Sequence, residues 1–178
     1  NPGEPGYQTV SVDILCPDPS FYDPTGETVP FAVSYSANTF QIPMSVPFYV
    51  GQSSLEQNET INYQGTWRSY PHLIRISGAV TDPVITNEST GEKLDFTGTT
   101  ISDGDYYDID LRYSYKTVED SSGNNKISDL TDDSDLSTWH LGAPPEVAGG
   151  NNSIQVVGSS INSNTEFLIQ YYDRYLGI

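Results

Sequence analysis

The stretch of residues 70–109 constrains the fold more than any other part of the chain, because short apolar runs alternate there with turn-forming residues. The runs are rich in Val, Ile, Leu, Thr and Tyr, which favour the pleated, half-buried surface of a β-sheet. Residues that tolerate tight turns separate these runs: Gly78, residues 87–91, Gly98 and residues 103–104. Residues 92–96 alternate charged and apolar side chains, as a strand with one buried face does. The pattern predicts an all-β antiparallel fold, either a sandwich or a barrel.

Weaker versions of the same pattern continue on both sides of this stretch. They predict further strands at residues 7–15, 31–35, 40–50, 57–63, 111–118, 153–157 and 166–172. We expect the last two to form an antiparallel pair. Pro43 and Pro47 suggest that the strand at 40–50 lies at a sheet edge or contains bulges. Only residues 127–136 show a hint of helix, with Thr131 as the candidate N-cap of a short turn.

The length of 178 residues suits one domain, or one domain with an arm. Residues 1–6 are rich in Pro and Gly and lack an initiator Met, so we interpret them as a linker and the chain as a fragment of a longer protein. The predicted strand at 7–15 ends before Pro17, which lacks a ladder donor. We therefore predict that residues 1–24 form a linker and a bridging strand, and that residues 25–178 form the sandwich. The alternative for residues 7–15 is an ordinary first strand of that sandwich.

The charge of the chain limits the classes of partner that it is expected to bind. There are 24 acidic and 7 basic residues, which gives a net charge of -17. Such a surface repels phosphate backbones and anionic lipid headgroups, so we expect neither nucleic-acid binding nor membrane association. No apolar run is long enough for a transmembrane helix, and we expect no membrane insertion. The single cysteine, Cys16, cannot form an intramolecular disulfide.

Few residues suggest catalysis or metal binding. Asp129, Asp132, Asp133 and Asp135 could supply oxygen ligands to calcium, but they lack the Gly and the distant Glu of an EF-hand loop. A solvated acidic turn is the favoured interpretation. His72 and His140 both lie in apolar runs. The many carboxylates could pair for glycoside hydrolysis in principle, but the sequence fixes no separation between any two of them. We predict a protein that is not an enzyme, with no catalytic residue, no cofactor and no metal.

Aromatic side chains are the remaining candidates for ligand contact. Trp67 lies in the polar loop at residues 65–69 and is the better of the two tryptophans for exposure. Such rings can stack on the apolar face of a pyranose. Trp67, with Tyr70, is therefore the predicted ligand contact, and a host glycan is the candidate ligand. The other tyrosines are expected to alternate between core and surface.

Several short motifs, in a fixed order, resemble one known family. They are Tyr70-Pro71, Ile76-Ser77-Gly78, Pro83-Val84-Ile85-Thr86-Asn87, Thr90-Gly91-Glu92-Lys93-Leu94, Gly104, Lys116-Thr117-Val118, Ser121-Ser122-Gly123-Asn124-Asn125, Leu130-Thr131-Asp132-Asp133-Ser134-Asp135-Leu136, Gly149-Gly150-Asn151-Asn152-Ser153-Ile154 and Arg174-Tyr175-Leu176-Gly177-Ile178. Together they cover roughly residues 60–178 and resemble the C-terminal domain of siphovirus distal tail proteins. Residues 25–60 match less clearly. Trp139 stands where the family has a large apolar residue, which predicts that it packs in the core.

The resemblance implies a galectin-like β-sandwich, of jelly-roll type, that projects from a ring at the tip of a phage or prophage tail. In that family an N-terminal domain builds a homohexameric ring, and the predicted bridging strand at residues 1–24 would lead out of it. The implied function is structural: the protein connects the tail tube to the tail-associated lysin and the receptor-binding protein of the baseplate. The implied location is the virion, after synthesis in the bacterial host cytoplasm. The fragment is expected to be a monomer, since the ring domain is lacking. The main alternative is a carbohydrate-binding module that contacts saccharides of the host cell wall.

Overall fold

The computed structural model of the protein describes residues 11–13, 20–31 and 54–176. The predicted strand at 40–50 lies outside these residues, and those at 7–15 and 31–35 lie mostly outside them. The described part contains ten strands: β1 (Ser20–Phe31), β2 (Ser54–Asn62), β3 (Leu73–Ser77), β4 (Val80–Asn87), β5 (Glu92–Asp95), β6 (Thr100–Ile101), β7 (Tyr106–Asp110), β8 (Thr117–Asp120), β9 (Asn151–Ser159) and β10 (Glu166–Leu176). Two single-turn 3-10 helices lie at Ile127–Asp129 and Ala148–Gly150.

The strands form two antiparallel sheets of five strands each. The first sheet has the order β1-β10-β3-β7-β8, and the second has the order β2-β9-β4-β5, with β6 also paired to β4. Buried residues of both sheets join in one hydrophobic core, which includes Ile74, Ile85, Ile154 and Phe167. The predicted all-β antiparallel β-sandwich is confirmed.

Alternating side chains build this core, as a period of two requires. In β3, Ile74 and Ile76 are fully buried, while the neighbouring residues are only half-buried. In β9 the same alternation buries Ile154 and Val156. Trp139 is fully buried and belongs to the same core cluster. Its predicted place in the core is therefore confirmed.

The prediction that the last two strands pair with each other is wrong. β9 pairs with β2 and β4 in the second sheet, whereas β10 pairs with β1 and β3 in the first. Each strand therefore lies between two neighbours of its own sheet, and the connection at residues 160–165 crosses between the sheets. Central positions of this kind satisfy the backbone groups on both sides of a strand, which one hairpin partner cannot do.

Two other local predictions need correction. Of the predicted strand at 111–118, only residues 117 and 118 belong to a strand, because a turn closes before them with the amide of Tyr115 donating to the carbonyl of Arg112. The hint of helix at 127–136 is right for Ile127–Asp129, and a short turn begins at Thr131, where the amide of Ser134 donates to the carbonyl of Thr131 over 3.1 Å. The rest of that segment lies beside β5, where the amide of Asp135 donates to the carbonyl of Lys93 over 2.8 Å.

β1 crosses the boundary predicted between residues 24 and 25. It pairs with β10 from Ser20 opposite Leu176 to Phe31 opposite Phe167, with an irregularity between Tyr22 and Gly26. The division into an arm and a sandwich domain stays a prediction. No helix among the described residues is long and apolar enough to cross a membrane.

Candidate functional site

Trp67 lies in the connection between β2 and β3, and its side chain is 43 % exposed. The main chain holds this loop in place, since the amides of Thr66 and Trp67 both donate to the carbonyl of Arg174 in β10. Trp67 lines an open cleft of about 620 Å³, the tryptophan cleft. Its other lining residues are Thr66, Arg68, Ala143, Pro144, Pro145, Glu146 and Leu176. The expected exposure of Trp67 is confirmed, and its contact with a ligand stays a prediction.

A two-pronged ion pair forms one wall of the tryptophan cleft. Arg68 donates from Nε and Nη2 to the two carboxylate oxygens of Glu146, over 2.9 and 2.7 Å. Burial opposes ionisation of this carboxyl, but hydrogen bonds from Arg68 and His140 outweigh it and lower the pKa of Glu146. The pair therefore presents a planar, charged and hydrogen-bonding group beside the indole ring.

His140 lies behind this wall, between two carboxylates. Its Nε2 is 3.1 Å from Oε2 of Glu146, and its Nδ1 is 2.8 Å from both Oε2 of Glu92 and the carbonyl oxygen of Thr138. The imidazole is buried. This arrangement fixes Glu146 from the protein side, so that Arg68 and Glu146 keep their orientation toward the cleft.

Tyr70, the second predicted ligand contact, packs against the core and lines neither the tryptophan cleft nor the two other clefts described below. Nζ of Lys116 lies 4.3 Å from the centroid of its ring, and Cζ of Arg174 lies 5.6 Å from it. The His140 ring is 6.0 Å away. Trp67 and Tyr70 therefore share none of the three clefts formed by the residues that the structure describes.

A second open cleft, of about 550 Å³, is lined by four tyrosines and is called the tyrosine cleft. Its lining residues are Tyr22, Asp23, Pro24, Arg112, Tyr113, Ser114, Tyr115 and Tyr172. Three elements contribute them: β1, β10 and the turn between β7 and β8. Sequence reasoning missed this cleft, because it depends on the pairing of β1 with β10. The available signal was the polar turn at residues 112–115, which contains two tyrosines and an arginine.

Two rings of the tyrosine cleft are held by contacts with other rings. Tyr172 stacks on His72 with ring centroids 4.5 Å apart, and Tyr22 meets Tyr172 edge to face at 6.4 Å. Burial, and then the charge of Arg112, lower the pKa of His72. Lowering the pKa favours the neutral imidazole, so Tyr172 stacks on an uncharged ring at neutral pH.

Each of the three clefts contains only one or two carboxylates, and these already accept hydrogen bonds within the chain. The tryptophan cleft has Glu146 and the tyrosine cleft has Asp23. A third cleft, of about 220 Å³, contains Asp105 and Asp120. Their oxygens accept hydrogen bonds from the side chains of Ser121 and Asn124. In the tryptophan and tyrosine clefts, aromatic rings lie beside hydrogen-bonding groups, and this arrangement suits the binding of a ligand.

The Asp-rich segment at 129–135 holds an edge strand. Oδ2 of Asp135 accepts a hydrogen bond from the backbone amide of Lys93 in β5. Oδ2 of Asp133 accepts another from Nζ of Lys93, over 2.6 Å. The same Nζ also reaches Asp95 at 3.1 Å. Among the described residues, no group of three or more His, Cys, Asp or Glu side chains could hold a metal ion. Asp133 and Asp135 are therefore partners of β5, whereas Oδ2 of Asp129 accepts from the hydroxyl of Tyr107 in β7 over 2.6 Å.

No protein-family model, curated protein or solved structure matches the chain.

Proposed function

We propose that this chain is a structural part of a phage or prophage tail tip, namely the C-terminal galectin-like sandwich domain of a distal tail protein. In this role the whole protein connects the tail tube to the tail-associated lysin and the receptor-binding protein, and its N-terminal domain forms a homohexameric ring. The role belongs to the virion and requires no catalysis. The observation that carries the proposal is the ordered series of motifs over roughly residues 60–178.

The contacts of the motif residues support a scaffolding role. Asn87 and Asn152, which belong to motifs more than sixty positions apart, are both fully buried and joined by a hydrogen bond of 3.1 Å. Gly150, from the same motif as Asn152, packs closely against the backbone of Tyr63. Residues whose side chains or close contacts are internal specify the shape of a domain more than its ligand.

The test compares two native masses in solution, that of this chain and that of the product of its complete reading frame. We expect a monomer for the chain and a hexamer for the longer product, since the ring domain lies upstream in the proposal. If the longer product is also a monomer, the tail-ring assignment loses its main support.

A second candidate function is carbohydrate binding to saccharides of the host cell wall. The observation that favours it is the exposed indole of Trp67 beside the Arg68–Glu146 pair, in one open cleft. An aromatic face beside planar polar groups suits the apolar face and the hydroxyls of a sugar ring. The substitution Trp67→Ala with a glycan-binding screen tests this candidate.

A further inference from the structure

We propose that the tyrosine cleft is a second binding site, and that its ligand is a neutral saccharide. The inference rests on the carbohydrate-binding candidate, for which it names a different site and a ligand charge. It is independent of the tail assignment.

Three of the tyrosines that line the cleft are largely exposed to solvent. Tyr113 is 64 % exposed, Tyr115 is 60 % exposed and Tyr22 is 48 % exposed. Large exposed rings that cluster in one concavity are unusual in a monomer unless they bind something. The volume of about 550 Å³ lies in the range of small-molecule sites.

Part of the cleft is already organised for binding. Tyr172 is fixed by its stack on His72, and Tyr22 is fixed by its edge contact with Tyr172. A Cβ at Gly26, on the neighbouring strand, would come within 3.2 Å of the Tyr172 ring, so the ring lies close to β1. A ligand that contacts the rings of this cleft would restrict few further protein side chains.

The charges around the cleft favour a neutral ligand. Cζ of Arg112 lies 4.3 Å from the centroid of the Tyr115 ring, and Cζ of Arg174 lies 5.1 Å from that of Tyr22. Two arginines therefore already interact with these rings, and a cationic ligand would have to compete with them for the same ring faces. A polyanionic ligand would be repelled by the net charge of -17.

The cleft also offers both donors and acceptors that are not used within the described part of the chain. Asp23 accepts one hydrogen bond there, from the amide of Thr25 to Oδ1, so that Oδ2 can accept another. Arg112 uses Nε and Nη2 on Asp110, which leaves Nη1 to donate. Sugar hydroxyls donate and accept at once, and they match this mixture. An oligoproline segment has no N–H group to give to Asp23, so a peptide of that kind fits less well.

The experiment uses the whole chain and four variants of it. The double variant Tyr113→Ala/Tyr115→Ala removes the two most exposed rings, and Asp23→Asn removes the acceptor charge without touching a ring. Ile127→Ala removes an exposed apolar side chain outside the three clefts and is the control, while Trp67→Ala reports on the tryptophan cleft. Each protein is applied to an array of short neutral oligosaccharides built from glucose, galactose, rhamnose and N-acetylglucosamine, with an oligoproline peptide beside them, and the strongest binder is titrated by calorimetry.

We expect the wild-type chain and Ile127→Ala to bind the same saccharide with similar affinity. The double variant should bind it about tenfold more weakly or worse, since each ring contact is worth roughly a kcal/mol. Asp23→Asn should also weaken binding, and circular dichroism should show that all four variants are folded.

Three results would overturn the inference. If Trp67→Ala loses binding and the double variant keeps it, the saccharide binds in the tryptophan cleft, and only the carbohydrate-binding candidate survives. If the wild-type chain binds no saccharide of the array, both the inference and that candidate fail, while the native masses still decide the tail assignment. If the chain binds only the oligoproline peptide, the cleft is a peptide site.

Discussion

Nδ2 of Asn87 donates a hydrogen bond to Oδ1 of Asn152 over 3.1 Å, and neither side chain has any exposed surface. Asn87 ends β4, whereas Asn152 lies at the start of β9. Nδ2 of Asn87 also donates to the carbonyl of His140, and Oδ1 of Asn152 also accepts from the amide of Gly142. This buried pair therefore ties the segment around residues 140–142 to the ends of two strands.

We predict that Asn152→Ala destabilises the fold strongly. The side chain makes four hydrogen bonds, since its Nδ2 also donates to the carbonyls of Gly142 and Gly150. Each buried group left without a partner costs about 1–3 kcal/mol, so a loss of at least about 3 kcal/mol is expected. Urea denaturation measures it. The neighbouring exposed residue supplies the control, because Asn151→Ala should cost about 0.5 kcal/mol or less. Equal effects of the two substitutions would contradict the role of the buried pair.

We predict that Gly150→Ala costs more stability than Gly91→Ala. Both glycines have positive φ, of 70° and 77°, so both substitutions pay the strain of that backbone region, about 1–2 kcal/mol. A Cβ at Gly150 would also lie 2.0 Å from the carbonyl oxygen of Tyr63, whereas a Cβ at Gly91 would meet nothing within 4 Å. The difference between the two unfolding free energies isolates the steric clash. If Gly150→Ala and Gly91→Ala are equally stable, residues 150 and 63 do not approach each other so closely.

Truncation of the two tryptophans should reduce the stability of the chain by very different amounts. Trp139 is fully buried, and Trp139→Ala is expected to cost about 3–5 kcal/mol, as large cavities in a core do. Trp67 is 43 % exposed, and Trp67→Ala is expected to cost less than about 1 kcal/mol. Thermal unfolding of both variants beside the wild type makes the comparison. A large loss in Trp67→Ala would mean that this ring supports the fold and is not free for a ligand.

The stability of the chain should depend on pH through Lys116. Burial lowers the pKa of its ammonium from 10.5 to about 8, against the attraction of Glu92 and Asp110, and its Nζ has no hydrogen-bond partner among the described residues. A lysine whose pKa is lower in the folded chain penalises folding below the folded pKa. The penalty, at most about 3 kcal/mol, disappears as the pH rises from about 8 toward the unfolded value.

Lys116→Met removes this penalty and tests it. The variant should be more stable than the wild type near pH 7, and its advantage should shrink near pH 9.5. Ionisation of the tyrosines affects both proteins alike and cancels in the comparison. Urea denaturation at the two pH values gives the difference. A difference that does not change with pH would show that the Lys116 ammonium carries no penalty in the folded state.

The sequence predicted the strands between residues 70 and 110 because each of them has one face in the core. Ile74, Ile85 and Ile109 are fully buried, and the alternation that predicted them is the cause of that burial. The exposure of Trp67 was predicted from its polar loop, whereas the burial of Trp139 was predicted only from the family resemblance.

The pairing of strands and the sites that depend on it could not be predicted in this way. A period of two tells which face of β9 or β10 is buried but not which strand lies beside it. The tyrosine cleft follows from the register that sets Tyr22 opposite Arg174. Asn152 has the residue type of a turn and gives no sign of a buried hydrogen-bonding role. The turn before β8 was missed because non-glycine residues, Ser114 and Lys116, adopt its positive φ values of 69° and 51°.

The central claim, that this chain belongs to the tip of a phage tail, is tested most directly by electron microscopy with an antibody. The antibody is raised against the chain and labelled with gold, and it is applied to intact particles from a lysate of the bacterium that carries the gene. The account predicts label at the end of the tail that is distal to the capsid, in particles that carry tails. Particles with tails and no label, or label along the tube or on the capsid, would contradict it.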